Sequence, residues 1–301
     1  MKGITRLSSI SQLHRILGYD KPKHPMISII DSAKADYSTG ILGKKFVLDF
    51  YIISIKKHSG KFRYGRNFYD FEEGSMVFTS PGQALTVAQN INEIDNGGWS
   101  LYFHPDLLRN SILSEKMRDY TFFHYSATEA LHLSEEEKNI MTDCVVKIEK
   151  EYNQNLDEHT HNLIISNIEL LLNYCSRFYG RQFITRKHQN KDLISKLERY
   201  LIDYFSANSL SENGIPTVKQ CADILNLTPN YLSDLLKKET GKSTQEHIHN
   251  FVIEQAKNKL LSTTLSISEI AYKHGFENPA YFSKIFKSKT GMTPSVYRKM
   301  N

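Results

Sequence analysis

Two short segments hold the side chains best suited to recognition chemistry, and they repeat 50 residues apart. They read Pro229-Asn-Tyr-Leu-Ser-Asp-Leu-Leu-Lys-Lys-Glu-Thr-Gly241 and Pro279-Ala-Tyr-Phe-Ser-Lys-Ile-Phe-Lys-Ser-Lys-Thr-Gly291. Tyr231, Ser233, Lys237, Thr240 and Gly241 fall on Tyr281, Ser283, Lys287, Thr290 and Gly291. The apolar Leu232, Leu235 and Leu236 fall on Phe282, Ile285 and Phe286. If each segment is a helix, those apolar residues share its inner face. The outer face then shows Asn230, Ser233, Asp234 and Lys237 in one copy, and Ala280, Ser283, Lys284 and Lys287 in the other. Such a set can read base edges. An amide bonds adenine in a bidentate way, a hydroxyl pairs with several bases, a methyl meets the thymine methyl, and an ammonium reaches guanine or a phosphate. Asp234 is the awkward member, since a carboxylate repels phosphates. It can accept from a cytosine amino group or orient Lys237 or Lys238.

The surrounding sequence supplies the elements that would position these faces. Thr217 to Leu225 reads as a short helix with Thr217 at its N-cap, followed by the turn Asn226-Leu-Thr228. Thr228 caps the next helix, Pro229 takes its first position, and Gly241 ends it. In the second copy Ser268 to His274 is the first helix, Gly275-Phe-Glu277 is a turn one residue longer, and Asn278 caps the helix that begins at Pro279. Between the copies, Thr244 to Ser262 predicts one long helix with Ile248, Phe251, Val252, Ala256, Leu260 and Leu261 apolar. It would set the distance between two helix-turn-helix motifs, 217–240 and 267–290; two grooves on one DNA face lie roughly 34 Å apart. A lone motif of this kind is better explained by a helical hairpin in an ordinary core. Duplication of caps, turns and basic outer faces points instead to a DNA reader.

Charge agrees with this placement. The chain carries +5 overall; residues 190–301 hold 15 Lys/Arg against 11 Asp/Glu, and the first 189 hold 23 against 22. Beyond Glu277 no acidic residue remains, while Lys284, Lys287, Lys289, Arg298 and Lys299 are basic, so a polyanion would meet the carboxyl end. At 301 residues, with 40% hydrophobic and 24% charged, the composition is that of a soluble globular protein with room for two domains. No run approaches the ~18 to 20 apolar residues of a membrane span, and the first 20 residues lack the apolar core of a signal peptide. Cys144, Cys175 and Cys221 are odd in number and scattered, which suits a reducing cytoplasm, in association with the nucleoid.

From Phe46 to about Phe123 the pattern is strand-like. The runs are Phe46–Ile55, Lys61–Tyr64, Asn67–Phe71, Ser75–Thr79 and Trp99–Phe103, with Gly and Pro between them. This spacing predicts an antiparallel barrel or sandwich. The capping box Ser134-Glu-Glu-Glu137 opens a helix to about Asn153, and a second helix covers about Asp157 to Tyr179. The pair fits two roles, cover for the barrel or the contact of a homodimer. The polar stretch 181–190 lacks periodicity and reads as a linker between a domain at 1–180 and a helical domain at 191–301. The expected fold class is therefore α+β: an amino-terminal antiparallel β-barrel with a helical hairpin, then an all-α double helix-turn-helix domain.

The region from about Leu193 to Met300 resembles the AraC/XylS transcription regulators, most strongly from Ser266-Ile-Ser-Glu-Ile-Ala-Tyr-Lys-His-Gly-Phe-Glu-Asn-Pro through Gly291-Met-Thr-Pro-Ser-Val-Tyr-Arg298. It covers about a third of the chain. The resemblance implies a seven-helix module whose helices beginning near Pro229 and Pro279 enter adjacent major grooves. It places base contacts on Asn230, Ser233 and Asp234, and on Ala280, Ser283 and Lys284. The chain departs from the pattern at Val252, where many members carry Arg, and at Asp234, where a basic or amide residue is common. The stretch Tyr64-Gly-Arg-Asn-Phe-Tyr-Asp-Phe-Glu-Glu-Gly74 is similar to the cupin-type sensor barrels attached to this module.

Chemistry of other kinds finds little support. His58, His104 and His124 are single and widely spaced, whereas a cupin metal site needs two or three His and a Glu on neighbouring strands. His159/His161 and His247/His249 lie at i, i+2 on predicted helices and point to different faces. No nucleophile elbow and no phosphate loop is present. Neither a metal nor another cofactor is expected. The aromatics Tyr51, Phe62, Tyr64, Phe68, Tyr69, Phe71, Phe78, Trp99, Tyr102 and Phe103 can fill the barrel core or line a pocket for a small apolar or sugar-like effector. The expected function is sequence-specific binding of double-stranded operator DNA by a non-enzymatic transcription regulator, with RNA polymerase as a further partner. Two alternatives stay open: a constitutive DNA-binding protein whose amino half only dimerises, and an enzyme, such as an alkyl acceptor with an activated Cys, fused to the module.

Overall fold

The β-rich run from Phe46 to Ile55 is two strands, β3 (Lys45–Leu48) and β4 (Tyr51–Lys56), and the bend between them organises the amino-terminal half. The Asp49 amide donates to the Leu7 carbonyl at 3.0 Å, its carboxylate takes the Arg6 Nε at 3.0 Å, and Phe50 is fully buried. These partners come from β1 (Thr5–Leu7), far away in sequence. The computed structural model describes residues 4–36, 40–56, 74–87, 98–154, 157–206 and 214–299. The chain forms two units, Met1–Thr185 and Arg186–Asn301.

In the first unit, β1 lies parallel to β3, which pairs antiparallel with β6 (Ala84–Thr86), giving a three-stranded sheet. The second sheet is antiparallel, with β2 (Ile27–Asp31), β7 (Trp99–Phe103), β4, β5 (Gly74–Thr79) and β8 (Leu131–Leu133) in that order. In the central strand Ile53 sits opposite Phe78 on one side and Leu101 on the other, all three buried. The described strands form two sheets, joined by the bend at Asp49–Phe50, and they do not close into the expected barrel among the described residues. Helix α1 (Ile10–Ile16), capped by Ser9, sets Ile10 and Leu13 into the core with Leu7, Phe46 and Phe50. Beyond Phe103 the expected strand pattern gives way to short helical turns, among them Pro105–Leu108, α2 (Ile112–Lys116) and Thr121–His124. The runs Lys61–Tyr64 and Asn67–Phe71 and the stretch Tyr64–Glu73 lie outside the described residues, as do His58, Phe62, Phe68, Tyr69 and Phe71.

The helical hairpin forms where expected. Helix α3 (Glu135–Asn153) begins at the capping box of Ser134 and Glu137, and α4 (Thr160–Thr185) turns Ile164, Ile168, Leu171, Leu172 and Cys175 inward. Residues 181–190, expected as a linker, hold the division between the two units and are helical on both sides of a turn at Arg186. Their polar side chains are used inside the fold. The buried Gln182 amide accepts from the His132 amide at 2.8 Å and donates to the Ala130 carbonyl at 3.1 Å. Arg181 bridges the Glu137 carboxylate at 2.7 Å and the His132 carbonyl at 2.6 Å. Of the aromatics proposed to fill or line the barrel, Tyr51 stacks on Phe103 and meets Phe123, and Phe78 packs with Phe122, Phe123 and Tyr179, at ring separations of 4.5 to 6.0 Å.

The second unit opens with α5 (Lys187–Ser206) and continues with α6 (Val218–Ile224), α7 (Pro229–Thr240), α8 (Thr244–Ser262), α9 (Ile267–Lys273), α10 (Pro279–Thr290) and α11 (Pro294–Arg298). Helix α8 is the spine, packed against α6, α7, α9, α10 and α11 through Ile248, Val252, Ile253, Ala256 and Leu260. Asn190 on α5 is buried and donates to Glu239 on α7 at 2.8 Å. Among the described residues no helix is long and apolar enough to cross a membrane.

Candidate nucleic-acid interface

Local sequence explains why α6 and α7 form a hinged pair. Thr217 and Gln220 make a reciprocal capping box that starts α6. The helix stops at Leu225 because Asn226 adopts φ +55, a left-handed conformation that Asn tolerates better than most residues. The Leu227 amide then closes back on the Ala222 carbonyl at 3.0 Å. Thr228 Oγ1 accepts from the Tyr231 amide at 3.3 Å, Pro229 takes the first helical position, and Gly241 at φ +75 ends α7. Leu232, Leu235 and Leu236 are buried, each removal from water contributing about 1.5–3 kcal/mol.

The second pair follows the same plan with one residue added, and the structure locates that residue. Ser266 and Glu269 cap α9; Gly275 takes the left-handed position of Asn226, and the Phe276 amide closes on the Ala271 carbonyl at 3.0 Å. Up to this point the two copies run in step at a spacing of 49; Glu277 is the insertion that restores 50. Asn278 caps α10 with its side-chain oxygen, 2.8 Å from the Ala280 amide. Phe282 and Phe286 are buried, with Phe276 and Tyr297 edge-on to them at 5.1 and 5.4 Å.

On α7, Lys237 is exposed and Asn230, Ser233 and Asp234 are half-buried. Ser233 Oγ lies 3.0 Å from the buried Thr244 Oγ1 at the start of α8, so its hydroxyl is engaged within the unit. On α10, Ala280, Lys284 and Lys287 are exposed; Ser283 is half-buried and donates to the Pro279 carbonyl at 3.0 Å. The structure also separates two residues that the repeat equates. Tyr231 is 4% exposed, whereas Tyr281 is 47% exposed, its ring edge-on to Phe276 at 6.2 Å. Tyr281 is a surface residue of α10 that the repeat alignment concealed. Lys289 lies 3.9 Å from Glu246 of α8, and Arg298 donates to the Leu265 carbonyl, so both serve contacts inside the unit.

Local hydrogen bonds and burial shift several titratable groups. Hydrogen bonds from the Ser243 and Ser266 backbone and hydroxyl groups hold the Glu246 and Glu269 carboxyls below their usual range. Burial lowers the imidazoles of His274, His247 and His249. Burial raises all three thiols, Cys221 to about 11, and an alkyl acceptor would need the opposite, an activated thiolate. Among the described residues no group of three or more His, Cys, Asp or Glu is placed to hold a metal ion.

Residues 221–300 match the family described as "Helix-turn-helix domain". The uncharacterized transcriptional regulatory protein YesN of Bacillus subtilis is 37% identical over 110 residues, 36% of this chain, and the chain spans only 28% of its length. The uncharacterized HTH-type transcriptional regulator YijO of Escherichia coli is 25% identical over 234 residues, 75% of this chain and 78% of that protein. Among solved structures, the C-terminal domain of AraT, a response regulator of Geobacillus stearothermophilus, is 34% identical, with 36% of this chain and 85% of that chain covered at a TM-score of 0.32. Residues 221–300 of the carboxyl-terminal unit are thus similar to a helix-turn-helix domain found in proteins named as transcriptional regulators.

Proposed function

We propose that this chain is a sequence-specific DNA-binding transcription regulator, reading one major groove with α7 and the next with α10. The observation that carries the reading is the duplicated capped helix, each copy buried on its Leu or Phe face and bearing exposed lysines, Lys237 in one and Lys284 and Lys287 in the other. Asn230, Asp234, Ala280 and Lys284 are assigned to base edges, Lys237 and Lys287 to phosphates, and Ser233 and Ser283 to the same two faces. The matched relatives, named as transcriptional regulators, support the same class. Selection of duplexes from a random library by the full chain, followed by footprinting, tests it. A two-part consensus is expected; enrichment of no sequence would refute it.

The sheets and helical hairpin of the first unit are assigned to sensing, in a cupin-like domain that takes a small effector or joins two copies as a homodimer. The regulator would act in the cytoplasm at the nucleoid, with RNA polymerase as a further partner and without catalysis of its own. An effector would raise the melting temperature of the full chain by mass action, which a thermal-shift screen of sugars and small aromatic compounds reads directly.

A further inference from the structure

The turn of the second motif touches the entry to the first. Gly275 has φ +79, and a Cβ placed there would stand 2.8 Å from both the Gly214 carbonyl carbon and the Ile215 nitrogen. Both obstacles are backbone, so neither can swing aside. Gly214 is itself left-handed at φ +68, with the Gly275 oxygen 3.5 Å from where its own Cβ would be. Gly275 therefore lets two backbones meet with no side chain between them, and Gly214 supplies the left-handed turn that brings the strap there.

The position of this contact gives it meaning. Gly214, Ile215 and the buried Pro216 lead straight to Thr217, the cap of α6. From the other side, the Tyr204 hydroxyl on α5 donates to the Gly214 carbonyl at 3.1 Å. Tyr204 packs against Phe205 at 5.8 Å, and Phe205 packs against Phe251 of α8 at 5.2 Å. The first motif is thus tied to the second twice, through the spine α8 and through this strap. One connecting helix sets a distance, and a second contact off its axis also restrains rotation about it.

We propose that the Gly214–Gly275 contact, braced by Tyr204, is a positioning device that sets the phase of α10 against α7, and so the number of base pairs allowed between the two half-sites. The inference rests on the reading of α7 and α10 as groove readers. One base pair moves a half-site by about 3.4 Å along the axis and turns it by about 35°, so binding should be sensitive to phase.

The test uses the full chain and a two-part duplex selected by the wild type, together with versions lengthened or shortened by one and two base pairs. Gly275→Ala forces the strap away, Gly214→Ala strains its left-handed backbone from the other side, and Tyr204→Phe removes only the brace. Each variant is expected to lower discrimination among spacings by about threefold or more, while keeping the wild-type base preference within each half-site. Thermal melting shows which variants fold. Unchanged spacing discrimination in folded Tyr204→Phe and Gly214→Ala would overturn the proposal, whatever Gly275→Ala does. If the wild type selects no two-part site, the reading of α7 and α10 falls first, and that outcome is distinct.

Discussion

Ser233 and Ser283 fall together in the repeat, yet their hydroxyls meet different partners. Ser233 lies 3.0 Å from Thr244 at the start of the spine, and the residue matching Thr244 in the second copy is Pro294, which offers no hydroxyl. Ser283 bonds back to the Pro279 carbonyl of its own helix. Ser233 therefore helps seat α7 on α8. Ser233→Ala should weaken DNA binding evenly across sequences and lower stability by about 1 kcal/mol, the net value of one such bond. A changed base preference at a single position in a repeated selection would show that Ser233 reads DNA directly. Asn230→Ala and Lys284→Ala should each cost about 1–3 kcal/mol at the selected site and relax preference at one base pair. Lys287→Ala should instead weaken every sequence alike and reduce the salt slope by about 1, as titrations between 50 and 200 mM salt would reveal.

At the scale of elements, local chemistry determined most of the helix ends, and those were legible. Thr217, Thr228 and Asn278 cap where they stand because a short oxygen can reach a free amide one turn on, and Gly241 and Gly291 end helices because glycine adopts positive φ at no steric cost. Asn278→Ala should cost about 0.5–2 kcal/mol, seen as faster amide exchange in the first turn of α10, while Asn278→Asp should retain protection. The illegible parts depend on distant partners. Nothing in Phe46–Ile55 announces the bend that Arg6 and Leu7 hold at Asp49, and nothing in 181–190 shows that Gln182 will bond the backbone of Ala130 and His132. The contrast between Tyr231 and Tyr281 was hidden in the same way, since it follows from packing around Phe276 and not from the repeat itself. Burial also gives the second unit a pH dependence. His274, 6% exposed with Nδ1 2.7 Å from the Ile270 carbonyl, has its pKa lowered from 6.5, chiefly by burial. A depressed folded-state pKa means that the unfolded chain takes up the proton first. Stability from this group is therefore complete above the ordinary value of 6.5 and is lost as pH falls through the lower folded value. The urea midpoint of the full chain should decline below that pH, and His274→Gln should flatten the decline; an unaltered slope would remove His274 from the account.

Across the whole molecule the positive charge is unevenly placed, and α7 and α10 differ in a way that their matching caps conceal. The carboxyl-terminal motif has no acid after Glu277 and exposes Lys284 and Lys287 on α10, whereas α7 exposes Lys237 beside a half-buried Asp234. Phosphate neutralisation supplies much of the affinity of such proteins and all of its salt dependence, so the second motif should anchor the chain and the first should adjust specificity. Two double variants of the full chain test this division: Lys284→Ala with Lys287→Ala, and Asn230→Ala with Lys237→Ala. Each removes two side chains from one helix face and leaves the buried Leu or Phe face intact. The first should remove specific binding and flatten the salt slope by about 1 to 2, because both lysines can release counterions. The second should leave a measurable complex whose footprint contracts to the half-site under α10. Equal losses from both, or a footprint that contracts to the half-site under α7, would reverse the assignment of anchor and adjuster.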